Sequence, residues 1–175
     1  MKIILVAVTS LNGYLTNGDD PNIYKWTSKE DQEFFFNLVK NAKLIVMGSS
    51  TYEAVRDNLG FENDGKLRIV LTSLPVRYVN ESVPGSLEFT SETPRELYKR
   101  LGDRDEILLL GGAKIYSSFI KAGLVDEIYL TVEPIIFGKG KKIFADENFE
   151  SDLELISVEK LNSTGTLLLK YKVEK

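Results

Sequence analysis

Leu109-Leu110-Gly111-Gly112-Ala113-Lys114-Ile115-Tyr116 runs an apolar strand into paired glycines and then into a helix. A strand-to-helix turn stripped of side chains lets backbone N–H groups and a helix N-terminus approach a phosphate closely. Paired glycines also serve an ordinary tight turn, so the segment gains meaning from its company. Val46-Met47-Gly48-Ser49-Ser50-Thr51-Tyr52 likewise closes a strand on glycine and hydroxyl residues, and Leu71-Thr72-Ser73 closes another on hydroxyls. Each alone is served by capping or turn chemistry. Three such ends along the C-terminal edge of one parallel sheet would hold a long phosphate-bearing ligand.

The apolar blocks at 2–8, 43–47, 67–71, 107–110 and 128–132 are short and rich in Val, Ile and Leu, as strands buried on both faces of a sheet are. Helical segments lie between them. Thr27 or Ser28 starts the first, with Phe34, Phe35, Leu38 and Ala42 recurring behind it at helical spacing. A shorter one follows Ser50. Thr93-Pro94-Arg95-Glu96 combines an N-cap, proline at the first helical position and glutamate at the third, which predicts a helix to about Leu101. The helix after Gly112 should stop near Gly123. Leu153 to Leu161 and Thr166 to Val173, joined by Asn162-Ser163-Thr164-Gly165, read as a terminal antiparallel hairpin. The expected architecture is α/β, a mainly parallel sheet with an antiparallel C-terminal edge, in one domain over residues 1–175.

The 175 residues are 43% hydrophobic and 27% charged, ordinary values for a soluble globular chain. A net charge of −4 with both signs interspersed argues against nucleic acid or an anionic membrane as partner. Lys139, Lys141 and Lys142 cluster as a solvated turn. Met1 to Val8 is apolar for too few residues to be a signal peptide or a membrane span, so the expected compartment is the cytoplasm. With no cysteine and no histidine, disulfides, thiolate nucleophiles, Ser-His-Asp triads and ordinary zinc sites are excluded. No calcium-loop pattern is present, and no metal is expected. Proton chemistry falls to carboxylates, tyrosine, lysine or water.

Asp31 is the candidate for that work. At about 100° per residue it lies near the centre of the arc covered by Phe34, Phe35, Leu38 and Ala42, whereas Glu30 sits one step to the side. Two readings stand. In one, Asp31 satisfies the helix start through a Ser28-x-x-Asp31 capping box. In the other, burial on the apolar stripe raises its pKa and makes it a proton donor or hydrogen-bonding anchor near neutral pH.

The order Asn12-Gly13, Trp26 with Asp31 five residues later, Met47-Gly48-x-x-Thr51, Leu71-Thr72-Ser73, Gly111-Gly112-x-x-x-Tyr116 and Tyr129-Leu130-Thr131 resembles the dihydrofolate reductase superfold over almost the whole chain. Ser10-Leu11-Asn12-Gly13, Trp26-Thr27-Ser28-Lys29-Glu30-Asp31 and Gly123-Leu124-Val125-Asp126-Glu127, followed by Pro134 and Gly138-Lys139-Gly140, are similar to signatures of its riboflavin-biosynthesis reductase branch. That branch includes the C-terminal half of bacterial bifunctional deaminase-reductases.

The resemblance implies a dihydrofolate reductase-like three-layer fold and hydride transfer from NADPH, with NADH as the other cofactor, to a ribosylaminopyrimidine phosphate. Ala7 and Gly13 would flank the nicotinamide, Gly48, Ser49, Ser50 and Thr51 would meet the pyrophosphate, and Leu71, Thr72 and Ser73 the adenosine side. Gly111, Gly112, Ala113, Lys114, Ile115 and Tyr116 would complete the cofactor site, through a cis peptide at the glycines. Asp31, Thr131 and Trp26 would be the catalytic set, with Thr131 hydrogen-bonding the carboxylate and Trp26 walling the pocket, while Asn12, Asp31 and Phe35 would meet substrate. Asn12 stands where the riboflavin branch usually has aspartate, and Ser49 where dihydrofolate reductases commonly place a basic residue near the extra phosphate of NADPH. Lys114 and Arg77 are the cations that could reach it instead. Dihydrofolate reductase itself and a nucleotide-binding module without catalysis are the alternatives. Pro134-Ile135-Ile136-Phe137 packs internally or contributes to a homodimer.

Overall fold

Successive side chains of the first strand, β1 (Lys2–Ser10), are buried on opposite faces of a sheet in the computed structural model, which describes residues 1–58, 64–102 and 106–175. Ile3, Leu5 and Ala7 enter one core, Ile4 and Val6 the other. The same division runs through β2 (Leu44–Gly48), β3 (Leu67–Leu71) and β5 (Glu106–Leu109). Val46, Ile69 and Leu109 join the first core, and Met47, Val70 and Leu108 the second. Burial on both faces is why these segments are continuous apolar runs.

With β4 (Leu87–Thr90), β6 (Glu127–Glu133), β7 (Leu153–Lys160) and β8 (Leu167–Val173), the sheet order is β4-β3-β2-β5-β1-β6-β8-β7. Every pairing from β4 across to β6 is parallel, and β8 and β7 are added antiparallel. The expected architecture is therefore present, with one strand more than the apolar blocks indicated. In β4 only Leu87 is buried, so it lacks the continuous apolar run by which the other parallel strands were read. The hairpin turn is closed by the Asn162 side-chain oxygen, which accepts from Gly165 N and Thr166 N.

Helices α1 (Lys29–Asn41) and α2 (Ser49–Val55) pack Phe35, Leu38, Val39 and Tyr52 against the second core. Helices α3 (Pro94–Leu101) and α4 (Ala113–Lys121) cover the opposite face with Leu97, Leu101, Phe119 and Ile120. The three layers are complete. The capping box at Thr93 and Glu96 forms in both directions. Beyond α4, Gly123 adopts φ +68°, the left-handed conformation that favours glycine at a helix end. Of the segment after β6, Phe137 is buried and Ile136 lies on the surface. Among the described residues no helix is long and apolar enough to cross a membrane.

Candidate active site

Because the strands from β1 to β6 run parallel, their C-terminal ends share one rim, where α/β sheets bind ligands. A cavity of about 1570 Å³ opens there. It is lined by Ala7 on β1, by Gly48, Ser49, Ser50 and Thr51 after β2, and by Leu71, Thr72 and Ser73 after β3. The segment from Gly111 to Tyr116 after β5, Thr131 on β6, and Asp31 and Phe35 on α1 complete this part of the wall. Residues scattered from 7 to 131 in sequence thus meet around one space.

The side-chain-free turns press against one another. Gly48 N donates to Gly111 O at 2.6 Å. A Cβ on Gly48 would stand 2.9 Å from Ile115 Cγ1, and one on Gly111 would stand 2.8 Å from the Tyr116 hydroxyl. Gly111 also has φ +89°, and the Gly111–Gly112 peptide is cis. Tyr116 is buried, its hydroxyl donates to Val6 O at 2.6 Å, and burial raises its pKa. Gly112 caps α4 without a side-chain bond, so the first turn of the helix is open to an outside acceptor. Bare backbone beside an uncapped helix start suits a pyrophosphate.

At α1, Ser28 Oγ accepts from Asp31 N at 3.2 Å, which is one half of a capping box. The other half is missing. Ser28 N donates instead to Glu133 Oε1 at 2.6 Å, and the Asp31 carboxylate receives the Thr131 hydroxyl. Asp31 is 5% exposed. Desolvation lifts its pKa from 3.8 to about 6; the Thr131 hydrogen bond opposes the rise and the Glu133 charge adds to it. Asp31 thus has its backbone in the cap and its carboxyl in the cavity wall. Tyr24, Phe34 and Phe36 also line this end, with Tyr24 and Phe36 stacked at 5.9 Å. Burial, and then the Asp31 charge, raise the Tyr24 pKa.

Asn12, Gly13 and Trp26 are not brought to the cavity wall. Asn12 Nδ2 donates to Phe137 O at 2.7 Å, and its Oδ1 accepts from Phe137 N at 3.2 Å and from Ser10 Oγ at 2.9 Å. Gly13 O accepts from Ile143 N. Trp26 sits edge-on to Phe137 at 5.2 Å, and its buried Nε1 has no partner among the described residues. Asn12 and Gly13 thus fasten the loop of residues 11–20 to the segment after β6, on which Trp26 also packs. Leu15 N reaches Lys141 O at 2.7 Å, Lys141 N reaches Thr16 Oγ1 at 2.9 Å, and a Cβ on Gly140 would fall 2.0 Å from Thr16 O. Lys114 lines the cavity, whereas Arg77 lies outside the lining, its guanidinium 3.9 Å from Glu53. The Ser49 hydroxyl is hydrogen-bonded with Tyr78.

Glu133 went unseen in the sequence. It is 4% exposed, and its Oε2 accepts from Thr166 Oγ1 at 2.6 Å. Its spacing of two residues from Thr131, which puts both on one strand face, is the signal that could have found it. Among the described residues no cluster of three potential metal ligands occurs.

The family model described as the RibD C-terminal domain matches residues 1–167. The Bacillus subtilis protein YwjB is 28% identical over 160 residues, 88% of each chain. Among solved structures, the pyrimidine reductase-like protein of Corynebacterium diphtheriae matches with a TM-score of 0.78 at 19% identity, over 99% of this chain and 92% of that one. The Thermotoga maritima diaminohydroxyphosphoribosylaminopyrimidine deaminase/5-amino-6-(5-phosphoribosylamino)uracil reductase matches with a TM-score of 0.74 at 18% identity, over 99% of this chain and 56% of that one. These likenesses identify the three layers as the dihydrofolate reductase-like fold.

Proposed function

The chain belongs to the RibD C-terminal domain family, and on that premise we propose that it is an NADPH-dependent reductase acting on a carbonyl-like or imine-like carbon of a small molecule. The first substrate to test is a ribosylaminopyrimidine phosphate, whose ribose would be reduced to ribitol. The observation that carries the reading is the meeting of the glycine turns and the buried Asp31 around one cavity. Gly48, Gly111 and Gly112 suit the cofactor because their turns leave backbone, not side chains, facing the pyrophosphate. Leu71, Thr72 and Ser73 would border the adenosine, and Ala7 the nicotinamide.

The reduced nicotinamide supplies hydride when bound. Asp31 would hold the substrate ring and, protonated below about pH 6, donate to the atom that gains charge as hydride arrives. Thr131 keeps the carboxyl oriented, and Phe34 and Phe35 exclude water from the reacting pair. Ser49, where a basic residue would favour the extra phosphate, leaves NADH as the second cofactor to test. The protein would work in the cytoplasm, as a homodimer if the surface about Ile136 pairs.

Following nicotinamide absorbance with the pyrimidine substrate and either cofactor tests the reaction; absence of oxidation above background with both removes the assignment. The aromatic lining of the Asp31 end favours one second reading, reduction of a flat ring such as dihydrofolate, in the same assay. Calorimetric binding of NADPH without turnover of either substrate would leave a nucleotide-binding module.

A further inference from the structure

We propose that Glu133 is the positioning residue for Asp31: it takes over the capping bond that would otherwise occupy the Asp31 carboxylate, and so leaves that carboxylate free for the cavity. The inference rests on Asp31 being the polar partner of the substrate. Helix α3 shows what a complete box looks like in this molecule, with Glu96 Oε2 accepting from Thr93 N at 2.8 Å. Asp31 holds the equivalent third position of α1, and Ser28 the cap. Yet Ser28 N is satisfied by Glu133, more than 100 residues away in sequence.

The Glu133 carboxylate is itself fixed from both sides. One oxygen takes Ser28 N, and the other takes the hydroxyl of Thr166, a fully buried residue. Asn162 Nδ2 in turn donates to Thr166 Oγ1 at 2.9 Å, so the β7–β8 turn braces the start of α1. A single strand face thereby supplies Thr131, which meets the Asp31 carboxylate, and Glu133, which relieves it of capping. Among the described residues, the titratable groups that act electrostatically on Asp31 or are acted on by it are Glu133 from β6 and Tyr24 from the turn before α1. Removing the Glu133 charge therefore lowers the Asp31 titration midpoint.

The test is carbon-13 NMR titration of the Asp31 carboxyl in the whole chain without added ligand, alongside turnover and calorimetric NADPH binding. In Glu133→Gln the amide oxygen can accept from Ser28 N and the amide nitrogen can donate to Thr166 Oγ1, whose hydroxyl gives up its own acceptor, so the Ser28 bond is kept and the charge is lost. Its Asp31 midpoint is expected below the wild-type value, with the pH at which turnover declines moving down in step. In Glu133→Ala the Ser28 N–H is orphaned and Asp31 swings back to cap it. Turnover is then expected to fall on the order of 10²-fold with NADPH affinity unchanged, the midpoint dropping further. A Glu133→Ala protein whose Asp31 midpoint and turnover match the wild type overturns the proposal; if that variant does not fold, a Ser28 amide proton that exchanges with solvent like an unbonded one in the wild-type chain overturns it instead. Wild-type protein without hydride transfer would sink only the reductase reading, because the titrations need no turnover.

Discussion

Replacing Asp31 by asparagine should make the protein more stable and less active, and both effects follow from one carboxyl. The rise from 3.8 in the unfolded chain to about 6 in the fold is equivalent to about 3 kcal/mol at about 1.36 kcal/mol per pH unit. The sign is set by which state binds the proton more tightly. Folded Asp31 does, so its contribution to stability is fully present below 3.8 and is lost as pH rises through about 6. Asparagine cannot ionise, and its carbonyl can still accept from Thr131. Denaturant unfolding of the two proteins, repeated from about pH 4 to about pH 8, should therefore show the variant gaining on the wild type by most of that ~3 kcal/mol. Turnover should drop about 10²- to 10⁴-fold, the usual worth of a positioned proton donor, with cofactor affinity little changed. Wild-type turnover should itself decline as pH rises through about 6. Parallel stability curves together with undiminished turnover would refute the reasoning.

Gly111→Ala forces a side chain into φ +89° and within 2.8 Å of the Tyr116 hydroxyl; a loss of about 1–3 kcal/mol in thermal unfolding is expected, with weaker cofactor binding by calorimetry. Ser49→Arg places a guanidinium at the rim of the cavity, and if the extra phosphate of NADPH lies there, affinity for NADPH over NADH should rise about tenfold, one charge-assisted bond. Equal affinity for both cofactors after the change would put that phosphate elsewhere. Gly140→Ala drives a methyl group against Thr16 O, where a Cβ has only 2.0 Å; the two loops must part, and faster amide exchange at Leu15 and Lys141 is the readout.

The sheet was legible because most of its parallel strands are buried on both faces, which concentrates Val, Ile and Leu into short uninterrupted runs. β4 escaped for the opposite reason: one buried leucine in four residues leaves no such run. The glycine turns were legible through their company, since paired glycines also serve tight turns and it was three strand ends of this kind that pointed to one rim. Asp31 was read from helical phase alone. Its surroundings were not, because Glu133 reaches it through tertiary pairing between a helix start and a strand end. Trp26 and Asn12 show the limit of reading roles from order: each stands at its expected place in the chain, yet each spends its side chain on Phe137.

Neither histidine nor cysteine occurs in the 175 residues, and among the described residues Asp31 is the carboxyl displaced to about 6. Mild acidification through about pH 6 therefore loads a proton onto the cavity wall at Asp31, and oxidants find no thiol to strike. A pH jump across that value becomes a stimulus delivered at the cavity, and a spectroscopic signal from the Asp31 carboxyl reads it directly.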